Sequence, residues 1–149
     1  MPKHLDPEKK AVIFKLREDG WSFRKIEKET GVSKGSMSYW FSKGQKEKTL
    51  KRGRKYRESM SKFINSYKEE RGCHDCRKAN LNGDHPYYVL DADHVRGEKK
   101  NEISKMAKTS SKEEIIEELA KCDIVCANHH RIRTRNRRIT QSQIKAGRE

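Results

Sequence analysis

Apolar residues in the first 45 positions recur at the spacing of short amphipathic helices. The pattern predicts three helices, which begin after Asp6, Ser22 and Ser33, residue types that commonly cap helix N-termini. The first two are predicted to end at Gly20 and Gly31, and Gly31 lies in a tight turn, where a positive φ is often required. The apolar positions that we expect to face inward are Val12, Ile13, Leu16, Phe23, Ile26, Met37, Trp40 and Phe41.

The outward positions of the third predicted helix carry side chains that are small or can form hydrogen bonds. Such side chains suit a helix that lies in the major groove of DNA and reads base edges with its N-terminal half. The segment from Gly20 to Ser33 also resembles a helix-turn-helix. We therefore predict that residues 1–45 form a helix-turn-helix DNA-binding domain; the alternative is a plain three-helix bundle without a ligand. The residues expected to contact DNA are Lys34, Ser36, Ser38 and Tyr39.

A dense run of basic residues follows, and residues 46–68 are predicted to be a basic linker that passes into a helix. Between positions 43 and 58 only Glu47 and Glu58 supply counter-charges. Such runs are most often solvated linkers, but near DNA they can also follow the phosphate backbone and gain affinity by counterion release. We expect backbone contacts from Arg52 and Arg54. The apolar positions of the predicted helix, which ends near residue 70, are Met60, Phe63, Ile64 and Tyr67.

Composition narrows the choice of partner and compartment. The chain has 149 residues, a formal net charge of +14, 39% charged residues and only 32% hydrophobic residues. A surplus of this size suits a polyanion, and double-stranded DNA is the partner that we predict. A domain with so few hydrophobic residues needs additional stabilisation, such as a bound metal ion. With no membrane-length apolar run and no signal-peptide segment, we expect a cytoplasmic protein without membrane contact, whose four cysteines are metal ligands or thiols rather than disulfides.

Residues suited to metal binding and proton transfer are concentrated after position 70. Cys73 and Cys76 are separated by two residues, a spacing that can present both sulfurs to one tetrahedral ion. A short predicted strand near residue 90 ends with Asp93 directly before His94. A second group lies about thirty residues later, where another helix is predicted to begin, and consists of Cys122, Cys126, His129 and His130.

A further helix is predicted between these two groups. Ser110 with Glu113, or Ser111 with Glu114, has the spacing of a capping box, in which side chain and backbone at a helix start bond each other reciprocally. We interpret this helix as scaffolding, and its predicted buried residues are Ile115, Ile116 and Leu119.

Together, the motifs after position 70 resemble the zinc-containing HNH endonucleases, many of which are carried by phages and mobile elements. The resemblance covers roughly residues 71–138. It implies an α+β protein in which residues 69–138 form a small zinc-stapled ββα-metal domain of treble-clef-like fold, followed by a tail at 139–149. It also implies a metal-dependent DNA endonuclease, encoded by a phage or mobile element and acting in the cytoplasm of a bacterial host cell.

The resemblance also suggests a ligand set for a structural zinc ion. In this family, two cysteines separated by two residues commonly precede the catalytic-site histidine. Here His129 replaces the second of them, which predicts a site made by Cys73, Cys76, Cys126 and His129. The alternative set contains Cys122 in place of His129, because the spacing of Cys122 and Cys126 is also plausible.

The hydrolytic residues follow from the same resemblance. It implies that His94 is the general base, since an imidazole can accept a proton near neutral pH, and that Asp93 and His130 bind a catalytic ion. Relatives often have another histidine four residues after the second ligand, where this chain has Thr134. An ion with two protein ligands and several waters suits Mg²⁺ or Mn²⁺ better than a second zinc. Many relatives have an asparagine that braces the general base where this chain has Lys121-Cys122; the nearest asparagines are Asn128 and Asn101, and we assign the role to Asn128.

Basic residues around these motifs are expected to contact phosphates on either side of the scissile bond. We assign this role to Arg96, Arg131 and Arg133, although arginines that alternate along one helix cannot all face the same groove. A function of a different class is a non-catalytic zinc-containing DNA-binding regulator, which would have no need of Asp93 and His94.

Overall fold

A computed structural model of the chain describes residues 5–146. The predicted first domain and tail also include residues 1–4 and 147–149, which lie outside the described residues. The protein is rich in helices and has one small antiparallel sheet of two strands, which makes it an α+β protein. The chain divides into two compact units, the first ending at Lys55 and the second beginning at Tyr56.

The elements follow one another with short connections. In chain order they are α1 (Pro7–Glu18), α2 (Phe23–Thr30), α3 (Lys34–Phe41), α4 (Gln45–Arg71), α5 (His74–Lys78), β1 (Leu90–His94), α6 (Ile103–Thr109), α7 (Lys112–Leu119), β2 (Cys122–Cys126) and α8 (Ala127–Ala146). A short 3-10 helix, Tyr87–Val89, precedes β1.

The three helices of the first unit begin and end where the sequence predicts. The hydroxyl of Ser22 accepts a hydrogen bond from the N–H of Lys25, and the hydroxyl of Ser33 accepts one from the N–H of Ser36, both at 3.3 Å. Gly31 ends α2 with a φ of +67°, a conformation that glycine adopts without a steric penalty. Side-chain caps therefore define the starts of α2 and α3, whereas Asp6 precedes α1 without a side-chain cap hydrogen bond.

Apolar burial holds the first unit together. The side chains of Ile13, Ile26 and Met37 are completely buried, and each comes from a different helix. Val12 was expected to face inward but is 52% exposed, because α1 buries only a narrow stripe. The residues that pack around this core are Leu16, Trp21, Phe23, Val32, Trp40 and Phe41.

The basic segment between the predicted domains is helical rather than an extended linker. Helix α4 runs without interruption through 27 residues, and the division between the two units falls within it. Its buried residues, Met60 and Ile64, lie in its second half and belong to the second unit, whereas Leu50 in its first half is 42% exposed. The predicted tail is also largely helical, because α8 continues to Ala146.

The second unit is organised around the two strands. Strand β1 pairs with β2 in an antiparallel register that sets Leu90 opposite Cys126 and His94 opposite Cys122. One apolar cluster lies among α4, α6 and α7, and a second contains three cysteines. Members of the first are Met60, Ile64, Ile103, Met106, Ala107, Ile115, Leu119 and Cys122; members of the second are Cys73, Cys76, Leu90, Ile124, Val125 and Cys126.

Helix α7 has the capping box that the sequence predicts. The Ser111 hydroxyl accepts from the N–H of Glu114 at 3.2 Å, and the Glu114 carboxylate accepts from the N–H of Ser111 at 2.8 Å. Ile115 is fully buried as expected, but Ile116 is 44% exposed, so its predicted burial is wrong. The buried face of α7 is completed instead by Glu118, a charged residue.

None of the helices within residues 5–146 combines the length and the apolar character that crossing a membrane requires.

Candidate functional site

Three thiols and one imidazole converge in the second unit. The Nδ1 atom of His129 lies 3.5 Å from the sulfur of Cys73, 3.4 Å from that of Cys76 and 3.3 Å from that of Cys126. All four ligand atoms lie within 4.8 Å of one another. A tetrahedral zinc ion holds sulfur and nitrogen ligands about 3.6 Å apart, given its usual bond lengths. The predicted set that contains His129 is therefore confirmed as a group that could hold a metal ion.

Backbone geometry brings the first two thiols to this point. Cys73 caps α5, and its sulfur accepts hydrogen bonds from the N–H groups of Cys76, at 3.5 Å, and Cys126, at 3.1 Å. Gly72 precedes it with a φ of +58°. The N–H of Cys73 donates to the carbonyl of Gly83 at 2.7 Å, which holds the loop after α5 against the segment from Cys73 to Cys76.

The charges of this cluster require a cation. Burial opposes ionisation of Cys73, but the N–H groups of Cys126 and Cys76 outweigh it and lower the pKa of Cys73 to about 6. Burial and the nearby sulfurs of Cys73 and Cys126 raise the pKa of Cys76 to about 12. Three sulfurs this close cannot all be thiolates unless a positive ion offsets their repulsion.

Cys122, the alternative fourth ligand, lies outside this cluster. Its side chain is buried in the apolar cluster of α4, α6 and α7, and its sulfur lies 3.4 Å from the carbonyl oxygen of Glu118. His85 is not among the predicted ligands, but its Nε2 lies 3.6 Å from the sulfur of Cys76. His74, inside the knuckle, is exposed and pairs with Asp75 instead.

A cleft of about 450 Å³ lies beside the cluster. Its wall contains His94 and His130, two of the predicted hydrolytic residues, together with Asp91. The complete lining is Ser61, Ile64, Asn65, Lys68, Asp91, Ala92, His94, Lys99, Glu102, Ile103, Ser104, Ala107 and His130.

His94 is fixed in this cleft by a buried carboxylate. Its Nε2 lies 3.0 Å from Oε1 of Glu118, whose side chain is completely buried. Burial alone would raise the pKa of Glu118, but hydrogen bonds from Lys121, the N–H of Lys100 and His94 lower it to about 2. An ionised carboxylate only accepts hydrogen bonds, so Nε2 of His94 carries the proton and Nδ1 of the neutral ring has the free lone pair.

His130 faces two carboxylates of β1. Its Nδ1 lies 3.0 Å from Oδ2 of Asp91, and its Nε2 lies 3.8 Å from Oδ1 of Asp93. Asp91 and Asp93 lie two residues apart in β1, where alternate side chains share a face, and His94 at the end of the strand lines the same cleft as Asp91 and His130. His129 and His130 are adjacent, yet the first belongs to the thiol cluster and the second to the cleft.

Asp93 is also bound by arginines, which the sequence argument did not anticipate. Arg133 donates to Asp93 at 3.0 Å, and Arg137 donates to both oxygens of Asp93 at 2.9 and 2.5 Å. Burial alone would raise the pKa of Asp93, but hydrogen bonds from Arg137 and Arg133 hold that pKa below its ordinary value. Asp93 lies directly opposite Asp123 in the sheet, and Arg133 donates to Asp123 at 3.0 Å as well, which offsets the repulsion between them.

This arrangement changes the interpretation of the predicted phosphate-binding arginines. Arg133 also donates to both oxygens of Asp75 and is only 19% exposed, so it is engaged by three carboxylates. Arg96 is exposed but donates to Asp123 at 2.9 Å and to two backbone carbonyls. Arg131 is exposed and lines a second cavity of about 420 Å³ on α8. The lining of that cavity is His130, Arg131, Thr134, Arg135 and Arg138.

The remaining predicted site residues lie apart from the cleft. Asn128 is exposed in the first turn of α8 and does not line the cleft. Lys34, Arg52 and Arg54 are exposed. Ser36 accepts a hydrogen bond from Ser33 at 3.0 Å, Ser38 lies 3.4 Å from Ser42, and Tyr39 packs edge-on against Trp40.

Comparison with protein-family models, curated proteins and solved structures finds no match to this chain.

Asp91, in the cleft wall, and Glu118, behind His94, were not among the predicted site residues. Glu118 follows Ile115 by three residues, so helical periodicity places it on the buried face of α7, where a carboxylate needs partners. Asp91 precedes Asp93 by two residues, and strand periodicity places both on one face. Both patterns are visible in the sequence, but the residues that Glu118 and Asp91 contact, such as His94 and His130, come from distant segments.

Proposed function

We propose that this protein is a metal-dependent DNA endonuclease of the HNH type. The observation that carries the proposal is the paired arrangement of His94 and His130. His94 is oriented by Glu118 in a cleft that also contains His130, and the neighbouring His129 belongs to a four-ligand cluster. A structural metal site next to a cleft with an oriented imidazole is the combination that phosphodiester hydrolysis of this type needs.

The chemistry follows from the atoms in the cleft. Nδ1 of His94 accepts a proton from a water molecule as that water attacks phosphorus. The bond from phosphorus to the 3′ oxygen breaks, and the departing oxygen takes a proton from solvent, which leaves a 5′ phosphate and a 3′ hydroxyl. Oδ1 of Asp93, which lies outside the cleft lining, and Nε2 of His130, 3.8 Å apart, would hold a Mg²⁺ or Mn²⁺ ion that stabilises negative charge at the phosphate, and Arg137 would have to give up its hydrogen bond to Oδ1.

The separation of those two atoms falls between the values for adjacent and for opposite ligands of one octahedral cation, so a hard ion there would require one of the side chains to shift. Ligands at about 2.1 Å from an ion in octahedral geometry lie about 3.0 Å apart when adjacent and about 4.2 Å apart when opposite. The cluster of Cys73, Cys76, Cys126 and His129 would hold zinc, whose tetrahedral geometry and preference for sulfur and imidazole fit this set. Zinc there would connect α5, β2 and α8.

The distribution of arginines on α8 supports DNA as the substrate. Arg133 and Arg137 are engaged by acidic residues, whereas Arg131, Arg135 and Arg138 surround a cavity that adjoins His130. Those three are the arginines that we assign to phosphate contacts, with Arg133 reassigned to holding the sheet and helix together. Guanidinium groups suit this role because they bond phosphate oxygens in pairs.

The first unit would select or hold the DNA site as a helix-turn-helix. Support comes from its two capped helices joined at Gly31 and from the exposed start of α3 at Lys34 and Gly35. The alternative function, a non-catalytic zinc-containing regulator, would use the same first unit and the metal cluster but not the cleft.

A plasmid assay tests the proposal. Purified protein should convert supercoiled plasmid to nicked or linear DNA only when Mg²⁺ or Mn²⁺ is added. His94→Ala should lower the rate by at least about 10²-fold, because it removes the proton acceptor, while leaving DNA affinity nearly unchanged. The matched control is His74→Ala, since His74 is exposed and does not line the cleft.

Three outcomes separate the possibilities. Loss of cutting in His94→Ala with normal cutting in His74→Ala supports the endonuclease. A wild-type protein that binds DNA tightly but never cuts it supports the regulator. Equal rates for His94→Ala and the wild type would show that another group activates the water.

A further inference from the structure

Helix α7 has one charged residue on its buried face. Glu118 is completely buried, and so are its two neighbours on that face, Ile115 and Leu119. An ionised carboxylate without partners in such a place costs several kcal/mol, so its hydrogen bonds decide whether the charge is tolerated.

Both oxygens of Glu118 have strong donors. Oε1 accepts from Nε2 of His94 at 3.0 Å and from the N–H of Lys100 at 2.8 Å, and Oε2 accepts from Nζ of Lys121 at 2.8 Å. The Nζ of Lys121 also donates to the carbonyl of Glu98 at 2.9 Å. Oε1 and Oε2 therefore have separate functions, because only Oε1 contacts the imidazole.

The position of Glu118 excludes direct contact with a substrate. His94 lines the cleft and its side chain is 15% exposed, whereas Glu118 is fully covered and is absent from the cleft wall. Any effect of Glu118 on a reaction in the cleft must pass through His94 or through the backbone near Lys100.

We infer that Glu118 is a positioning residue for His94, which holds the ring in the cleft and fixes the tautomer with the proton on Nε2 and the lone pair on Nδ1. A buried carboxylate behind an imidazole is an established way to fix the tautomer and orientation of a general base. The catalytic consequence rests on the proposed endonuclease function; the tautomer assignment does not.

The test compares two substitutions that each remove one interaction of Glu118. Glu118→Gln has nearly the same shape but lacks the charge, and its amide can also present a donor toward Nε2. Lys121→Met removes the partner of Oε2 and leaves the contact between Oε1 and His94. We expect Glu118→Gln to lower kcat by about 10²- to 10⁴-fold with little change in KM, as is typical when the residue behind a general base can no longer hold its tautomer. Lys121→Met should lower kcat much less than Glu118→Gln does, because Oε1 of Glu118 keeps its contact with Nε2 of His94.

A spectroscopic measurement decides the tautomer without any reaction. In metal-loaded protein with ¹⁵N-labelled histidine at about pH 8, where an ordinary imidazole is neutral, two-bond ¹H–¹⁵N correlations distinguish the two tautomers. The signals of His94 are identified by their loss in His94→Ala. We expect the Nε2–H form in the wild type and in Lys121→Met, and a mixture of both forms in Glu118→Gln.

Each result has a defined meaning. The Nδ1–H form in the wild type, or an unchanged tautomer in Glu118→Gln, would overturn the inference. Equal losses of kcat in Glu118→Gln and Lys121→Met would also overturn it, since a purely structural role of Glu118 predicts that outcome. If no preparation cuts DNA, the proposed function fails, and the tautomer measurement still decides whether Glu118 positions His94.

Discussion

The two compact units of this protein are held together by different interactions. The first contains no cysteine, and its core is formed by Ile13, Ile26 and Met37, each completely buried. The second divides its apolar residues between two smaller clusters, one of which contains Cys73, Cys76 and Cys126. Apolar burial stabilises the first without any ligand, whereas the second contains a group of three thiols and one imidazole that could hold a metal ion.

The two units also differ in the interactions that position their candidate functional residues. Residues suited to chemistry lie in the second unit, next to the candidate metal site, and their positions depend on charged contacts rather than on packing alone. Helix α8 shows this dependence, because Arg133 and Arg137 connect it to the sheet through carboxylates. The role proposed for the first unit requires only one exposed helix end, at the start of α3.

Removal of the metal should have the largest effect on this contrast. Cys76→Ser or prolonged chelation should unfold the second unit and leave the first folded, because a structural zinc contributes about 10–16 kcal/mol in small domains. Amide NMR spectra would show collapse of the signals from one unit and retention of the other. Cys122→Ser is the matched control and should keep its zinc, since Cys122 lies outside the cluster. Zinc loss in Cys122→Ser, with retention in His129→Ala, would show that the alternative ligand set is correct.

A cavity in the core of the first unit should destabilise that unit and leave the second unit unchanged, and the effect should be smaller than that of metal removal. Ile26→Ala should lower the unfolding free energy of that unit by about 2–5 kcal/mol and leave the zinc content unchanged. Denaturant titration followed by Trp21 and Trp40 fluorescence measures the first effect, because both tryptophans of the chain lie in this unit. Val12→Ala, at an exposed position of the same unit, is the control and should cost less than about 0.5 kcal/mol. Release of zinc by Ile26→Ala would show that the units do not fold independently.

The pH dependence of metal affinity should give the smallest of the three effects, about 1.4 kcal/mol per pH unit. The pKa of Cys76 is raised to about 12 and that of Cys73 is lowered to about 6, so between these values Cys76 is a thiol and Cys73 a thiolate. Binding must displace the Cys76 proton, and the affinity should rise at least tenfold, roughly, for each pH unit. Below about pH 6 the slope should steepen, because Cys73 then also holds a proton.

Competition with a chelating dye between roughly pH 6.5 and 8.5 measures this slope in the full-length protein. Unfolding of the first unit should show no metal-linked change over the same range. An affinity that does not vary with pH would mean that all the sulfur ligands are already ionised before the metal binds.

Local signals made much of the fold predictable. Capping residues and glycines define the ends of α2 and α3, and the capping box defines the start of α7. The two-residue spacing of Cys73 and Cys76 is a local signal of metal binding, whereas the choice of Cys126 and His129 as their partners came from the resemblance to the HNH endonucleases. The predictions of helix ends depended on residues within a few positions of one another.

The failures share a different cause. The basic segment was interpreted as a linker because it has few apolar residues, yet lysine and arginine have good helix propensity, and α4 runs through it. The ion pairs of Arg133 with Asp75, Asp93 and Asp123 join residues up to 58 positions apart. No local pattern distinguishes an arginine that binds a carboxylate from one that faces solvent.

The junction between β2 and α8 restricts how the length of this chain could vary. The strand ends at Cys126 and the helix begins at Ala127, with no loop between them, and His129 and His130 follow at once. One inserted or deleted residue here would rotate the helix by about 100° and carry both imidazoles away from their partners. By contrast, the exposed turn around residues 79–82 could accept insertions, because none of the candidate site residues lies there. Length variants should therefore be tolerated at that turn and excluded from the junction.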